Sequence, residues 1–384
     1  MDFSEIIGQE HIKSHLRTTL KNGRVAHAQL FVGMSGSGLL PLAIAYAKEL
    51  LCSPYEIGSE AYRRCAKNVA NFSHPDLHFI YPVNTNEAVK KNAVSSSFSE
   101  EWRNFLIENP YGSLFNWFQV LGIENKQGNI SVKEAEEISK KLALKSYEGG
   151  FKIIIIWMAD KMNVECSNKI LKLVEEPPDK SVLLFLTEKE VKIINTIRSR
   201  CQTLHLPLLS DKDIANALIQ RHSVSENEAI KTSRQAHGDF NKARHIIEND
   251  NEDAIFESWF VLWARTAFRA KGNKKAIQEL INWSDMMAGK GRETQKNFLV
   301  YCIELFRQTL LKNYNVDSLL YFETNDSKFS IDKFAPYVHQ NNIYGITKAL
   351  EDATYHIERN GNPKVIFTDL SIQLTRLIHK KELV

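Results

Sequence analysis

The chain lacks any apolar run near the roughly 18 residues that a membrane-spanning helix requires; Ile153 to Trp157 is only strand-sized. Its first residues, Met1-Asp2-Phe3-Ser4-Glu5, are acidic and lack the apolar core of an export signal. Cysteine is scarce. Cys52, Cys65, Cys166, Cys201 and Cys302 are scattered over 384 residues, which argues against a disulfide framework and for reduced thiols in a cytoplasmic protein. A surplus of one charge is missing too. Lys and Arg number 49 against 46 Asp and Glu, a net +3, too small to demand a nucleic-acid partner and too small to exclude one. No Ser/His/Asp triad, paired-carboxylate site or G-x-G-x-x-G fingerprint is supported. What remains is a globular composition, 43% hydrophobic and 25% charged, at a length that calls for two or three domains.

The most informative lack lies inside Gly33-Met34-Ser35-Gly36-Ser37-Gly38-Leu39-Leu40. An apolar strand-like run, Ala28 to Val32, precedes it, and a helical run, Pro41 to Leu51, follows. Strand, Gly-rich turn and helix are the setting of a phosphate-binding loop, whose template is G-x-x-x-x-G-K-[ST]. Gly33 and Gly38 keep the spacing, but Leu39 and Leu40 stand where Lys and Ser/Thr belong. A Leu side chain can neither reach a β/γ-phosphate nor hold Mg²⁺. The loop keeps a backbone shape and lacks its chemistry.

Apolar patterning places the other elements. A helix after Ile6-Ile7-Gly8-Gln9 carries Ile12, Leu16 and Leu20 on one stripe. A connector, Ser53 to Asp76, leads to a strand at Leu77–Pro82. Val83 to Asn129 interrupts the α/β rhythm with an aromatic-rich insertion bearing Trp102, Phe105, Tyr111, Phe115, Trp117 and Phe118, expected as a helical pair burying its rings on its host. Ile130 to Leu144 reads as a helix with Ser131 as cap and Glu134 three residues on. Further strands are expected at Lys152–Trp157, Val182–Thr187 and Thr203–Leu206, with a helix at Asn163–Glu175 stopped by Pro177-Pro178. Short helices at Asp211–Arg221, Ser225–Ala236 and Asp239–Glu248 follow, then long helices from about Glu252, broken near Lys271-Gly272-Asn273, Gly289-Lys290-Gly291 and Gly361-Asn362-Pro363. Lys380-Lys381 reads as a solvated helix end.

The motifs Ile7-Gly8-Gln9, Gly33–Leu40, His74-Pro75-Asp76-Leu77, Glu175-Glu176-Pro177-Pro178 and Thr196-Ile197-Arg198-Ser199-Arg200-Cys201 occur in an order that resembles the bacterial clamp-loader AAA+ family. The resemblance covers residues 1 to about 250 and continues weakly beyond, where Glu358 to Lys364 is similar to the family's last collar helices. It implies an α/β fold: an AAA+ P-loop domain with a parallel sheet over 1–208, with the insertion at about 83–129, a small helical lid domain over 209–250, and an all-α collar domain over 251–384.

Aligned to that family, the Asp-Glu pair that ends a Walker B strand is replaced by Trp157 and Met158, with Asp160 too far along. The sensor after the next strand is Glu188, and the second sensor Arg is Asn241. These changes together remove the groups that ATP hydrolysis needs jointly, so no nucleotide cofactor is expected here. Arg200 reads two ways, as a surface ion-pair residue or, by the resemblance, as an arginine finger acting in trans on ATP bound by a neighbouring subunit, flanked by motif residues Ser199 and Cys201. The resemblance also raises a zinc module, but only Cys52 and Cys65 of its four cysteines are present; Asn68 and Asn71 stand near the other places. His74 and His78 could complete a Cys₂His₂ set. The expectation is no metal and two buried thiols. Implied partners are gamma/tau-type motor and delta subunits, and through the complex a sliding clamp and primer–template DNA, with no membrane. The alternatives are an active gamma/tau-type motor and a free-standing DNA-binding module.

Overall fold

A computed structural model describes the whole chain except residues 124, 125, 127, 148, 249, 317–319, 321–328 and 381–384, together with the side chains of 250–254 and 293. Of the Lys380-Lys381 pair, Lys381 lies outside the described residues. The chain divides into two compact units, Met1–His245 and Ile246–Val384.

The first unit is built on five parallel strands: β1 (Ala28–Val32), β2 (Leu77–Ile80), β3 (Lys152–Ile156), β4 (Ser181–Thr187) and β5 (Gln202–His205), in the order β2-β3-β4-β1-β5. Strand β3 explains the layering. Its side chains alternate between faces, so Ile153 and Ile155 pack into one apolar cluster while Ile154 and Ile156 pack into another. All four are fully buried, each contributing about 1.5–3 kcal/mol relative to exposure. A strand apolar on both faces needs cover on both. One face receives α1 (Glu10–Lys21), α2 (Leu39–Cys52) and α3 (Glu60–Ala70). The other receives α6 (Val132–Ala143), α7 (Val164–Glu175) and α8 (Asn195–Arg198).

Helix α3 is a correction: it lies inside the expected connector, and its stripe Tyr62, Cys65, Ala66 and Val69 packs against the first face. So is the bond it makes. Cys52, ending α2, and Cys65, on α3, form a disulfide with Cα atoms 5.8 Å apart, where buried reduced thiols were expected. Helix packing brings two helix segments together, and cysteine spacing alone carries no sign of it.

Insertion 83–129 holds the expected helical pair, α4 (Ser99–Glu108) and α5 (Leu114–Leu121). Ser113 and Asn116 form a capping box at the start of α5. The rings converge: Trp102 stacks on Tyr81 at 4.0 Å, and Trp117 meets both edge-on while its indole N–H donates to the Pro82 carbonyl at 2.8 Å. Glu134 departs from its expected place in a cap. Ser131 is the N-cap of α6 but makes no side-chain cap bond. Glu134 turns fully inward and accepts from the backbone N–H and hydroxyl of Ser95, in the insertion.

Helices α9 (Asp211–His222), α10 (Glu226–Ala236) and α11 (Phe240–Glu248) follow the sheet. The second unit is helical: α12 (Asp250–Arg269), α13 (Lys274–Ala288), α14 (Arg292–Asn313), α15 (Ile331–Phe334), α16 (Gln340–Glu358) and α17 (Pro363–Ile378). Asn273 caps α13, and Asn362 caps α17 with Pro363 in its first turn. Trp263 of α12 stacks on Trp283 of α13 at 5.0 Å and donates its indole N–H to Ser371 of α17 at 2.9 Å. No described helix is long and apolar enough to cross a membrane.

Candidate functional site

The Gly-rich loop runs from β1 into α2 at the C-terminal edge of the sheet. Gly36 and Gly38 take positive φ, +69° and +93°, and the Gly33 N–H donates to the Thr187 carbonyl at 3.1 Å. The loop therefore has the expected turn between β1 and α2. Its glycines, however, face protein. A Cβ at Gly36 would lie 1.7 Å from an Asp239 carboxylate oxygen, and one at Gly38 would lie 3.3 Å from the Tyr111 ring. Leu39 and Leu40 are buried in the core beneath the loop.

Tyr111 comes from the insertion, at the corner between α4 and α5. Its hydroxyl accepts the Ile7 N–H at 2.9 Å, and its ring meets Phe240 of α11 edge-on at 5.0 Å. The Asn109 amide donates to Asn241 at 3.0 Å, and Asn241 donates to Asn116 at 3.0 Å. The Phe240 N–H donates to the Gly36 carbonyl at 3.2 Å. Gln9 bridges the Ser37 and Pro207 carbonyls at 3.2 and 2.7 Å. The space left at the loop is about 20 Å³, lined by Met34, Leu39, Pro110, Tyr111, Trp157, Met158 and Glu188 among others. That admits a water molecule or so, against several hundred Å³ for a small-molecule site.

The ionisable side chains placed at this site, Glu188, Asp160 and Asp239, are carboxyls. Burial, then Asp160 and Asp239, push the Glu188 carboxyl above its usual range, and burial does the same to Asp239. The Asp160 carboxylate accepts from the Thr187 hydroxyl at 3.0 Å and pairs with Lys161 at 3.4 Å. Trp157 and Met158 are buried. Trp157 joins the insertion's rings, 5.2 Å from Trp102 and 5.9 Å from Phe105. Trp157, read from the sequence as standing where a Mg²⁺ ligand is expected, is thus part of an aromatic core.

Arg200 lies at the other edge of the sheet. It precedes β5, and Gln202 is in register with Gln29 while His205 is in register with Val32. The Arg200 turn and the Gly-rich loop are therefore separated by more than about 10 Å along the strands, at about 3.3 Å per residue. Its guanidinium pairs with Glu175 of α7 at 2.8 Å and donates to the Thr196 carbonyl at 3.0 Å, with 42% of the side chain exposed. The Ser199 hydroxyl donates to the Thr196 carbonyl at 3.3 Å. Burial pushes the Cys201 thiol up to about 12, which keeps it protonated and inert.

The cysteines and histidines do not converge on a metal. Cys52 and Cys65 are spent in their disulfide. The His74 ring accepts the Asp76 N–H at 3.1 Å, and burial, then Lys141 and Lys152, push His78 down to about 4. Among the described residues no group of three or more His, Cys, Asp or Glu is arranged to hold an ion. Sequence reading missed Asn109, Tyr111 and Asn116 at the loop. Asn109-Pro110-Tyr111-Gly112 carries a turn signal, but nothing in it says where the turn lands.

A parallel five-stranded sheet in this order, with a Gly-rich loop between β1 and α2, is the α/β architecture of AAA+ P-loop proteins. The chain belongs to the family described as DNA polymerase III, delta subunit, which matches residues 8–210, just over half of it. Among curated relatives, DNA polymerase III subunit delta' of Bacillus subtilis is 29% identical over 252 residues, 65% of this chain and 61% of that one. DNA polymerase III subunit tau/gamma of Haemophilus influenzae is 25% identical over 62% of this chain and 29% of its own. The aligned stretch thus spans less than two thirds of either relative's length. Among solved structures, a DNA polymerase III gamma subunit-related protein of Thermotoga maritima aligns over 95% of this chain and 99% of its own at 15% identity, with a TM-score of 0.38. That superposition is too loose to bear on function.

Proposed function

We propose that this chain is a non-hydrolysing, delta-prime-like subunit of a bacterial DNA polymerase III clamp loader, acting in the cytoplasm during replication. In this reading residues 209–250 form a lid and residues 251–384 join a collar with gamma/tau-type and delta subunits. Arg200 reaches the ATP held by an adjacent motor, and the assembly places a sliding clamp on primer–template DNA. One observation carries the reading: the space at this chain's Gly-rich loop is filled and has a carboxyl, Glu188, in its lining, while a half-exposed arginine is presented more than about 10 Å away at the opposite edge of its sheet. An arginine so placed can serve only a site outside its own loop. Its planar fork of donors suits phosphoryl transition-state charge. A gamma/tau-type motor would need a cation at Leu39 and carboxylates at Trp157 and Met158. A free-standing DNA-binding module would need a basic groove or rings on a polar face, whereas the insertion's Trp102, Phe105 and Trp117 are buried.

The test is the ATPase of a reconstituted complex of motor, delta and this chain, with Arg200 intact or replaced by Ala, at matched occupancy. Fingers of this kind are worth about 10³–10⁵ in rate at the site they serve. Total hydrolysis falls by the share of the one adjoining site, or further if sites are coupled. Unchanged ATPase and clamp loading in the Ala complex would leave Arg200 a surface ion-pair residue. Separately, titration of the isolated chain with ATP should give no heat of binding at millimolar nucleotide; micromolar affinity would overturn the non-binding half of the reading.

A further inference from the structure

We propose that the insertion's corner, residues 109–116, is a built-in clasp that holds the lid helices onto the Gly-rich loop, so that this subunit keeps one lid position without any ligand. The inference rests on the non-binding reading above and assigns a role to the insertion, which that reading leaves idle. Tyr111 touches three separate parts of the chain: the N-terminal segment through Ile7, the loop at Gly38, and the lid at Phe240. Asn109 and Asn116 sit on either side of it, and both bond the amide of Asn241, one accepting its donor and one donating to its oxygen. Both ends of that amide are thus satisfied by the insertion. Arg221 of α9 lies over the Tyr111 and Phe240 rings, 5.9 and 5.7 Å from their centroids, and Arg244 of α11 donates to the Glu108 carbonyl at 3.0 Å. The corner is anchored from behind by Trp102 and Phe105 packed on Trp157. The lid is therefore tied to the loop by side chains from a third segment. A contact of this kind does not come and go with nucleotide.

Hydrogen exchange read by mass spectrometry on the full chain tests this, with Tyr111→Ala and Asn241→Ala against wild type. The prediction is at least a tenfold faster exchange of amides in α9 and α10 in both variants, with β3 and β4 unchanged, and no slowing on adding ATP. If Tyr111→Ala also accelerates the sheet, it has disturbed the core, and Asn241→Ala, which removes only the two amide bonds, decides alone. Lid exchange at the wild-type rate in Asn241→Ala, and in Tyr111→Ala where the sheet is intact, would overturn the clasp and leave the non-binding reading standing. Lid exchange that ATP slows in wild type would overturn both.

Discussion

Replacing Glu134 by Gln should stabilise the first unit, and by more at pH 8 than at pH 5. The carboxyl is fully buried, and burial pushes it from 4.5 up to about 7 against the pull of its bonds from Ser95. Between those values the folded chain holds a proton that the unfolded chain has released, so stability falls as pH rises through this window. At about 1.4 kcal/mol per pH unit the loss comes to roughly 3 kcal/mol once pH exceeds 7. Below pH 4.5 both states are protonated and the penalty vanishes. Gln keeps an oxygen for the Ser95 N–H and hydroxyl, so Gln and wild type should differ by under about 1 kcal/mol at pH 5 and by about 3 kcal/mol at pH 8. The assay is hydrogen exchange in rising urea at the two pH values, read on peptides from residues 77–142 so that the second unit does not contribute. A Gln-minus-wild-type difference that stays the same from pH 5 to pH 8 would refute the reasoning, because it would mean that the carboxyl titrates alike in both states.

Other predictions concern the site and the cysteines. Leu39→Lys alone should give no ATP turnover above background, since Trp157 and Met158 still supply no Mg²⁺ ligand and Tyr111 still fills the mouth; measurable hydrolysis would show the defect to be local. Arg200→Lys in the reconstituted complex should resemble Arg200→Ala rather than wild type in steady-state ATPase, because an ammonium cannot reproduce the guanidinium fork. Alkylation of the denatured, unreduced chain should label Cys166, Cys201 and Cys302 but not Cys52 or Cys65; reduction should cost the first unit about 3 kcal/mol, as a loop of this length implies, and labelling of all five would contradict the pairing. Zinc measured by emission spectroscopy should fall well below one ion per chain; a full equivalent released by chelator with loss of folding would restore the metal reading.

The sheet was legible because its central strands β3 and β4 are buried apolar runs; each of the five strands was placed within about two residues of its observed ends. The Gly-rich turn between β1 and α2 was legible because Gly33 and Gly38 keep a fixed spacing after an apolar strand. What packs against that turn was not. Tyr111 meets Ile7 across 104 residues and Asn109 meets Asn241 across 132, and no local pattern encodes such a pairing. Glu134 misled because S-x-x-E is a capping signature, whereas here a buried partner, Ser95, outbids the cap. Helix α3 was missed although Tyr62, Cys65, Ala66 and Val69 have the i, i+3, i+4, i+7 spacing of an amphipathic helix.

If this chain is the non-hydrolysing subunit proposed above, Trp157 gives the loss of catalysis a direction. Its indole shares a core with Trp102 and Phe105, so an Asp restored at that position would put an unpaired carboxylate among rings, at a cost of several kcal/mol. Removing the rings first would leave cavities, at about 3–5 kcal/mol for each large aromatic truncated. Each first step back toward an ATPase is therefore uphill in stability, in a protein whose whole margin is of order 10 kcal/mol. On that reading the fold works as a ratchet: with an aromatic core over the position a metal would take, single substitutions do not lead back to an ATPase.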